Sequence, residues 1–229
     1  MAVWSADARR LFFASDVEGR FKAYGRAADG SSPVELEFED DGSYMPFSPI
    51  NDERLLVRIR KADGDVAILH LGQPHRIEPL LAGPAQELNA QVSPDGRWIA
   101  CQSDESGQFD VYVRSFPDVG RRREIVSQGG GVQPLWGPAD SGELYYRSLD
   151  GAVMAAAVRT APDLEIGARR ELFPNQGYGP ASPATVWFYA VSPVDGRFLM
   201  TKETTRARAS PIRVVVDWLE ELNALLPVL

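Results

Sequence analysis

Short apolar segments separated by polar turns run along nearly the whole chain. A clear example is the apolar-rich segment 97–102, followed by the polar segment 103–108 and by β-branched and aromatic residues at 109–115. Apolar runs of this length, bounded by Gly, Pro, Asp and Ser, are typical of β-strands joined by tight turns. Pro and Gly recur too often for a helical period to develop before the C-terminus. The pattern therefore predicts an all-β chain rather than a helical repeat.

The segments repeat at a fixed interval. Residues 5–24 and 93–112 align without a gap at an offset of 88 residues. The identical pairs are Ser5/Ser93, Asp7/Asp95, Arg9/Arg97, Ser15/Ser103, Asp16/Asp104, Gly19/Gly107, Phe21/Phe109 and Tyr24/Tyr112. An offset of twice about 44 residues predicts a copy midway, and one is found at 46–57, where Ser48 and Pro49 match the Ser-Pro turn. Looser copies begin near residues 134 and 190, so the chain contains about five units.

Each unit has room for four strands, because a Ser-Pro-Asp-Gly turn, a polar hairpin loop and a short outer segment follow one another within it. Four strands in about 44 residues is the repeat of a β-propeller blade. The sequence predicts a single domain, residues 1–229, that folds as a β-propeller of about five four-stranded blades with a short C-terminal helix. The blades are expected near 1–43, 44–88, 89–131, 132–186 and 187–216, with an insertion within 175–185 of the fourth.

The helix is predicted at residues 217–226, where Trp218, Leu219 and Leu222 fall near one helical face and Pro227 follows. We expect it to pack over a blade or the rim; a free docking helix for a partner is the alternative. The last blade should hold only three strands, so the helix should also cover its final edge. If that edge is not sealed, the strand at 212–216 would allow self-association.

The motif Ser-Pro-Asp-Gly-Arg, followed by an apolar strand, Ser-Asp-x-x-Gly and Phe-x-x-Tyr, resembles the TolB-like β-propeller repeat. The end of the chain, residues 212–222, resembles the closing segment of propellers at the C-termini of bacterial receptor-like serine/threonine kinases and some winged-helix regulators. This resemblance implies a sensor or interaction module with a signalling domain upstream. The chain contains neither a kinase Gly-rich loop with its strand lysine nor a catalytic-loop His-Arg-Asp, so no kinase activity follows.

Net charge limits the partners. The chain carries 24 Lys and Arg against 32 Asp and Glu, a formal charge of −8, which opposes nucleic acid and anionic membrane surfaces. The basic cluster at 121–123 is interpreted as a solvated turn or strand edge, with binding of a partner's phosphate as the alternative. Without a signal peptide or an apolar run long enough to span a bilayer, the chain is expected to be cytoplasmic by default. It would be extracytoplasmic if it belongs to a membrane-anchored receptor kinase.

The residues that could carry chemistry are few. The repeated aspartates Asp95 and Asp195 are expected to cap their turns rather than to act as ligands or bases. The chain has two histidines, no HExxH and a single cysteine, Cys101, so we predict no metal site, no cofactor and no catalytic residue. A Ser-His-Asp triad assembled in space stays open, although no Gly-x-Ser-x-Gly elbow is present. Cys101 should lie buried on the opposite face of its strand from Trp98.

Four residues are candidate contacts for a ligand or partner: His70, His75, Tyr178 and Trp187. Tyr178 lies within the predicted insertion and Trp187 beside it, and both are expected to pack in the core of the first strand of the fifth blade, with ligand contact as their alternative role. The leading hypothesis is a non-catalytic sensor or scaffold module that binds a protein or small molecule. Its contact face would carry both the Ser-Pro-Asp-Gly turns and the loops between blades. A hydrolase or lyase with its active site at the central channel is the alternative.

Overall fold

The computed structural model describes residues 2–16, 19–38, 42–59, 65–72, 74, 76–181 and 187–202. Within these residues every regular element is a β-strand, which confirms the all-β prediction. The helix predicted at 217–226, the closing strand at 212–216 and His75 all lie outside the described residues.

The strands form four antiparallel sheets of four strands and a fifth of two. The first sheet contains β1 (Ala2–Trp4), β2 (Arg10–Ser15), β3 (Lys22–Ala27) and β4 (Glu35–Leu36). The second contains β5 (Tyr44–Asn51), β6 (Arg54–Ile59), β7 (Asp65–His70) and β8 (Arg76–Leu81). The third contains β9 (Glu87–Val92), β10 (Trp98–Ser103), β11 (Asp110–Ser115) and β12 (Arg123–Ile125). The fourth contains β13 (Val132–Trp136), β14 (Glu143–Arg147), β15 (Val153–Arg159) and β16 (Glu165–Phe173), and the fifth β17 (Tyr189–Val191) and β18 (Phe198–Met200).

Within each four-stranded sheet, the strands lie side by side in the order in which they occur along the chain. The first strands of successive sheets also lie side by side. Strand β5 lies beside β1 and β9, and β13 lies beside β9. The first strands are therefore innermost, around a common axis, and the fourth strands are outermost. Sheets repeated around an axis in this way form a β-propeller, so the predicted fold class is confirmed.

Apolar side chains fill the spaces between neighbouring sheets. Leu56 of the second sheet packs in one cluster with Ile99 and Cys101 of the third. Trp98, on the opposite face of β10, packs instead with Leu144 of the fourth sheet. The predicted separation of Cys101 and Trp98 onto two faces is confirmed, because side chains alternate along a strand. Burial of Cys101 raises the pKa of its thiol to about 12.

The second unit departs from the predicted turn. Ser48 and Pro49 lie inside β5, and the chain turns later, between Asn51 and Arg54. The register of β5 against β6 shifts twice, once after Pro46 and once after Pro49. Proline has no backbone N–H to donate to the ladder, so bulges at these points let the strand continue past both prolines. The assignment of a Ser-Pro turn at this position was wrong.

The order of strands separates the loops into two groups. In a four-stranded antiparallel meander, the first–second and third–fourth connections lie at one end, which we call the turn face. The second–third hairpin and the link to the next sheet lie at the other end, which we call the link face. A single contact face carrying both the Ser-Pro-Asp-Gly turns and the loops between blades is therefore ruled out, and the prediction of such a face was wrong.

Candidate ligand-binding cleft

The repeated aspartates organise the turns of the turn face. Asp7 accepts hydrogen bonds from the Ser5 hydroxyl at 2.6 Å and from the Arg9 backbone N–H at 3.0 Å. These two donors hold the pKa of the Asp7 carboxyl below its ordinary value. Asp95 accepts the equivalent pair, at 2.5 and 3.1 Å, and Asp195 accepts the backbone N–H of its turn at 3.3 Å. The predicted turn-capping role of these aspartates is confirmed.

A cleft of about 350 Å³ opens on the turn face between the third and fourth sheets. Three segments form its walls: the β9–β10 turn, the β11–β12 loop and the β15–β16 loop. The lining includes Trp98, Phe116 and Pro117 together with arginine, aspartate and serine side chains. This volume is at the lower end of the range found for small-molecule sites, which usually combine apolar walls with a few placed polar groups.

Hydrogen bonds between the two sheets fix the width of the cleft. The indole N–H of Trp98 donates to the carbonyl of Thr160 at 3.0 Å. The Arg97 guanidinium donates to the carbonyl of Pro162 at 3.1 Å. Both acceptors belong to the β15–β16 loop, so the third sheet holds the opposite wall of the cleft in place.

The β11–β12 loop is pinned at its base by Ser115. The Ser115 backbone N–H donates to the Arg122 carbonyl at 3.0 Å, and the Ser115 hydroxyl accepts the Arg122 N–H at 3.2 Å. The same hydroxyl donates to the Asp118 carbonyl. The Asp118 carboxylate accepts the Gly120 N–H at 3.3 Å, within the loop itself. The loop is therefore closed by its own hydrogen bonds.

The three consecutive arginines have different surroundings. Arg123 is 2.8 Å from the Glu105 carboxylate and lies over the ring of Tyr112, away from the cleft. Arg122 lines the cleft but donates through Nε and a terminal nitrogen to Glu124, both at 3.2 Å. Arg121 also lines the cleft, and within the described residues its side chain has no hydrogen bond or ion pair. Arg121 is exposed in the β11–β12 loop, and the side chains of Arg122 and Arg123 are 39% and 53% exposed, as the interpretation of this cluster as a solvated turn or strand edge predicts.

The structure distributes the candidate contact residues over different sheets. His70 ends β7 in the second sheet, where its Nε2 is 3.2 Å from the Glu78 carboxylate and 3.0 Å from the Arg76 guanidinium. Tyr178 forms a bridge with Lys202, whose ammonium lies 5.6 Å from the centre of the tyrosine ring. Neither residue lines the cleft.

Trp187 lies near the axis of the sheets. Its indole N–H donates to the Pro134 carbonyl of the fourth sheet at 3.0 Å. Its ring meets that of Phe47, in the second sheet, edge to face with centroids 6.0 Å apart. Trp187 thus connects two sheets that are not neighbours, and it is separate from both His70 and the cleft.

A chain of side-chain amides, which the sequence analysis did not identify, surrounds the same axis. The Gln102 amide oxygen accepts the Gln133 backbone N–H at 2.7 Å and the Asn89 amide at 3.2 Å. The Gln133 amide oxygen in turn accepts the Phe188 N–H at 3.3 Å. Asn89 and Gln133 occupy the inner strands at bulges with positive φ, of 52° and 57°. Asn89 and Gln133 occupy corresponding positions of successive repeat units, and this recurrence of amide residues could have indicated the network from the sequence.

Buried carboxyl groups also lie on the link face, among them that of Glu87. Glu87 begins β9 and is 5% exposed, and burial raises the pKa of its carboxyl to about 7 despite the nearby Arg114. No group of three His, Cys, Asp or Glu side chains in the described part of the chain is arranged to hold a metal ion. No helix in that part is long and apolar enough to cross a membrane.

No protein-family model matches the chain, and no curated protein matches it in sequence. Solved structures do match. A protein assigned as TolB from Agrobacterium tumefaciens superimposes with a TM-score of 0.56 and 18% identity over 76% of this chain and 65% of its own length. TolB from Acinetobacter baumannii superimposes with a TM-score of 0.55 and 16% identity, over 76% of this chain and 43% of its own length. Oligopeptidase B from Leishmania major superimposes with a TM-score of 0.53 and 13% identity, over 88% of this chain and 33% of its own length.

At these identities the likeness shows the fold alone. The chain adopts a TolB-like β-propeller fold, which agrees with the resemblance of its repeat. It spans less than two thirds of the length of each of these proteins.

Proposed function

We propose that this propeller is a non-catalytic binding module whose ligand occupies the cleft between the third and fourth sheets. The observation that carries the proposal is the cleft itself: its walls are fixed by hydrogen bonds, and Arg121 still has all its side-chain donors available within the described residues. An arginine carries five N–H donors, so an unpaired one beside apolar walls suits recognition of a polar ligand. The ligand would approach from the turn face.

The alternative, a hydrolase or lyase, would place its reacting groups at the central channel. There the described residues contribute the ring of Trp187, the ring of Phe47 and the amide of Gln133. No specific observation favours catalysis at this position.

We further propose that the module serves as the recognition part of a longer signalling protein. The support is the resemblance of residues 212–222 to the end of receptor-kinase propellers. Two further proposals concern the end of the chain: binding of a protein partner, and self-association through the edge of the last blade. The strand predicted at 212–216 and the helix predicted at 217–226 lie outside the described residues.

A ligand screen tests the binding proposal. The protein is mixed with a library of small metabolites and short peptides, and the shift of its unfolding temperature is measured. The same screen is run on Asp163→Trp, which places a large side chain in the cleft from its exposed rim. Glu171→Trp is the matched control, because it adds the same side chain at an exposed position of the outer strand β16.

Ligands of the cleft should stabilise the parent protein and Glu171→Trp but not Asp163→Trp. If every stabilising compound acts equally on all three proteins, the ligand binds elsewhere and the proposed site is wrong.

A further inference from the structure

We infer that the cleft recognises a carboxylate group, held by Arg97 and Arg121 and carried on a short apolar stem. The inference rests on the proposed function and names the class of its ligand. It covers a free organic carboxylate and the carboxylate at the end of a peptide, because both present the same group.

The arginines of the cleft differ in how many of their side-chain donors are already in use. Of the three arginines that line the cleft, Arg122 is committed to Glu124 through two nitrogens. Arg97 uses one terminal nitrogen for the Pro162 carbonyl, and its other donors have no partner in the described residues. Arg121 has no side-chain partner there at all. A guanidinium with free donors pairs side by side with a carboxylate, which gives both energy and orientation.

The charges that line the cleft favour a carboxylate over a more highly charged anion. Asp118 and Asp163 also line the cleft, so its positive charges are largely balanced before a ligand enters. A phosphate monoester carries nearly two negative charges at neutral pH and would be repelled more strongly by these aspartates than a carboxylate would. The chain's net charge of −8 adds to that repulsion for any polyanion.

Apolar residues of the cleft would contact the rest of the ligand. Phe116 and Pro117 supply partly exposed apolar surface in the same cleft, beside Trp98, which is 7% exposed. A hydrocarbon stem would cover this surface while the carboxylate meets the arginines. A ligand with both parts gains apolar burial in addition to the charged hydrogen bonds, so it should bind better than the carboxylate group alone.

The test is an NMR titration that follows the indole N–H signal of Trp98, because this group forms part of the cleft wall. Butyrate, butylamine, acetate and inorganic phosphate are added in turn at constant ionic strength, maintained with chloride. A dipeptide with a free C-terminal carboxylate and its C-terminal amide form the peptide arm. Butyrate and the free peptide should shift the Trp98 signal in a saturable way. Acetate and phosphate should bind more weakly than butyrate, and butylamine and the peptide amide should have no effect.

Arg121→Gln should weaken butyrate binding by about tenfold, the effect of losing a hydrogen bond to a charged group. Arg9→Gln is the control, since it removes one positive charge from the turn face of the first sheet, where the Arg9 side chain is 86% exposed. Its affinity for butyrate should equal that of the parent. An equal loss in both variants would show a general charge effect and overturn the inference.

The outcomes separate this inference from the proposed function. If butylamine or phosphate saturates the Trp98 shift and butyrate does not, the cleft binds ligands but the carboxylate assignment is wrong. If butyrate shifts the Trp98 signal and the free peptide does not, the carboxylate assignment holds and the carboxylate belongs to a small molecule. If the peptide binds more tightly than butyrate, the assignment holds and the source is a chain terminus.

Discussion

Asp95 and Glu87 are both acidic residues of the third sheet, yet their environments give them opposite properties. Asp95 lies in a turn, where a hydroxyl and a backbone N–H donate to its carboxylate. Glu87 is buried at the start of β9, and one of its carboxyl oxygens has no hydrogen-bond partner. The first carboxyl is therefore stabilised in its charged form and the second in its neutral form.

The turn role of Asp95 predicts a modest effect of Asp95→Asn. The amide keeps one oxygen acceptor but loses the charge, so unfolding in urea should show a loss of about 1 kcal/mol, as for a local cap. Ligand binding by the folded variant should persist. Asp163→Asn makes the same change at an exposed position without a hydrogen bond in the described residues, and it should leave stability unchanged. Complete loss of binding in a folded Asp95→Asn protein would contradict the structural role.

The environment of Glu87 predicts a dependence of stability on pH. Burial raises the pKa of this carboxyl from 4.5 to about 7, so the folded protein holds the proton more tightly than the unfolded chain. The stability that protonation provides is complete below the unfolded pKa and is lost as the pH rises through the folded pKa. Glu87→Gln, which stays neutral, should match the parent in urea unfolding at about pH 4 and exceed it at about pH 8. A difference between the two proteins that is constant with pH would contradict this account.

At the scale of elements, indole hydrogen bonds connect loops and strands of neighbouring sheets. The Trp98 indole donates to Thr160 in the fourth sheet, and the Trp136 indole donates at 3.1 Å to the Gln91 carbonyl in the third. Both hydrogen bonds join the third and fourth sheets, but the donor lies in the third sheet in the first bond and in the fourth sheet in the second. Only Trp98 also lines the cleft.

This difference makes Trp98→Phe and Trp136→Phe a matched pair. Each keeps an aromatic ring and removes one indole hydrogen bond, so each should cost about 1 kcal/mol in urea unfolding. Only Trp98→Phe releases the β15–β16 loop from the wall of the cleft, so only this variant should weaken ligand binding. Isothermal calorimetry with a ligand from the screen measures the effect. Equal weakening in both variants would mean that the loss follows general stability rather than the cleft.

The elements show which parts of the fold the sequence could predict. Strands β10 and β11 could be predicted from the gapless match of residues 93–112 to residues 5–24, because the turn motif and the pattern of apolar residues agreed. The turn of the second unit was misplaced, because bulges at Pro46 and Pro49 extend β5 beyond a motif that resembles a turn. The cleft was not predicted, because Arg97, Arg121 and Asp163 come from two sheets and no spacing along the chain relates them.

At the scale of the whole molecule, a ligand could lie at the axis or in a space between sheets at the turn face. At the axis, Trp187 contacts the second and fourth sheets, the Gln102 amide oxygen accepts the Gln133 backbone N–H, and the Gln133 amide oxygen accepts the Phe188 N–H. Between the third and fourth sheets, the cleft has walls fixed by hydrogen bonds and contains Arg121, whose side chain has no partner within the described residues. The binding account therefore depends on the cleft rather than on the axis.

The most direct test of this account is a crystal structure of the protein with the compound that stabilises it most in the screen. The account predicts density for the compound between the third and fourth sheets, in contact with Arg121 and with the wall formed by Trp98. Density at the axis beside Trp187, with the cleft empty, would contradict the central claim and favour the alternative of an active site at the central channel.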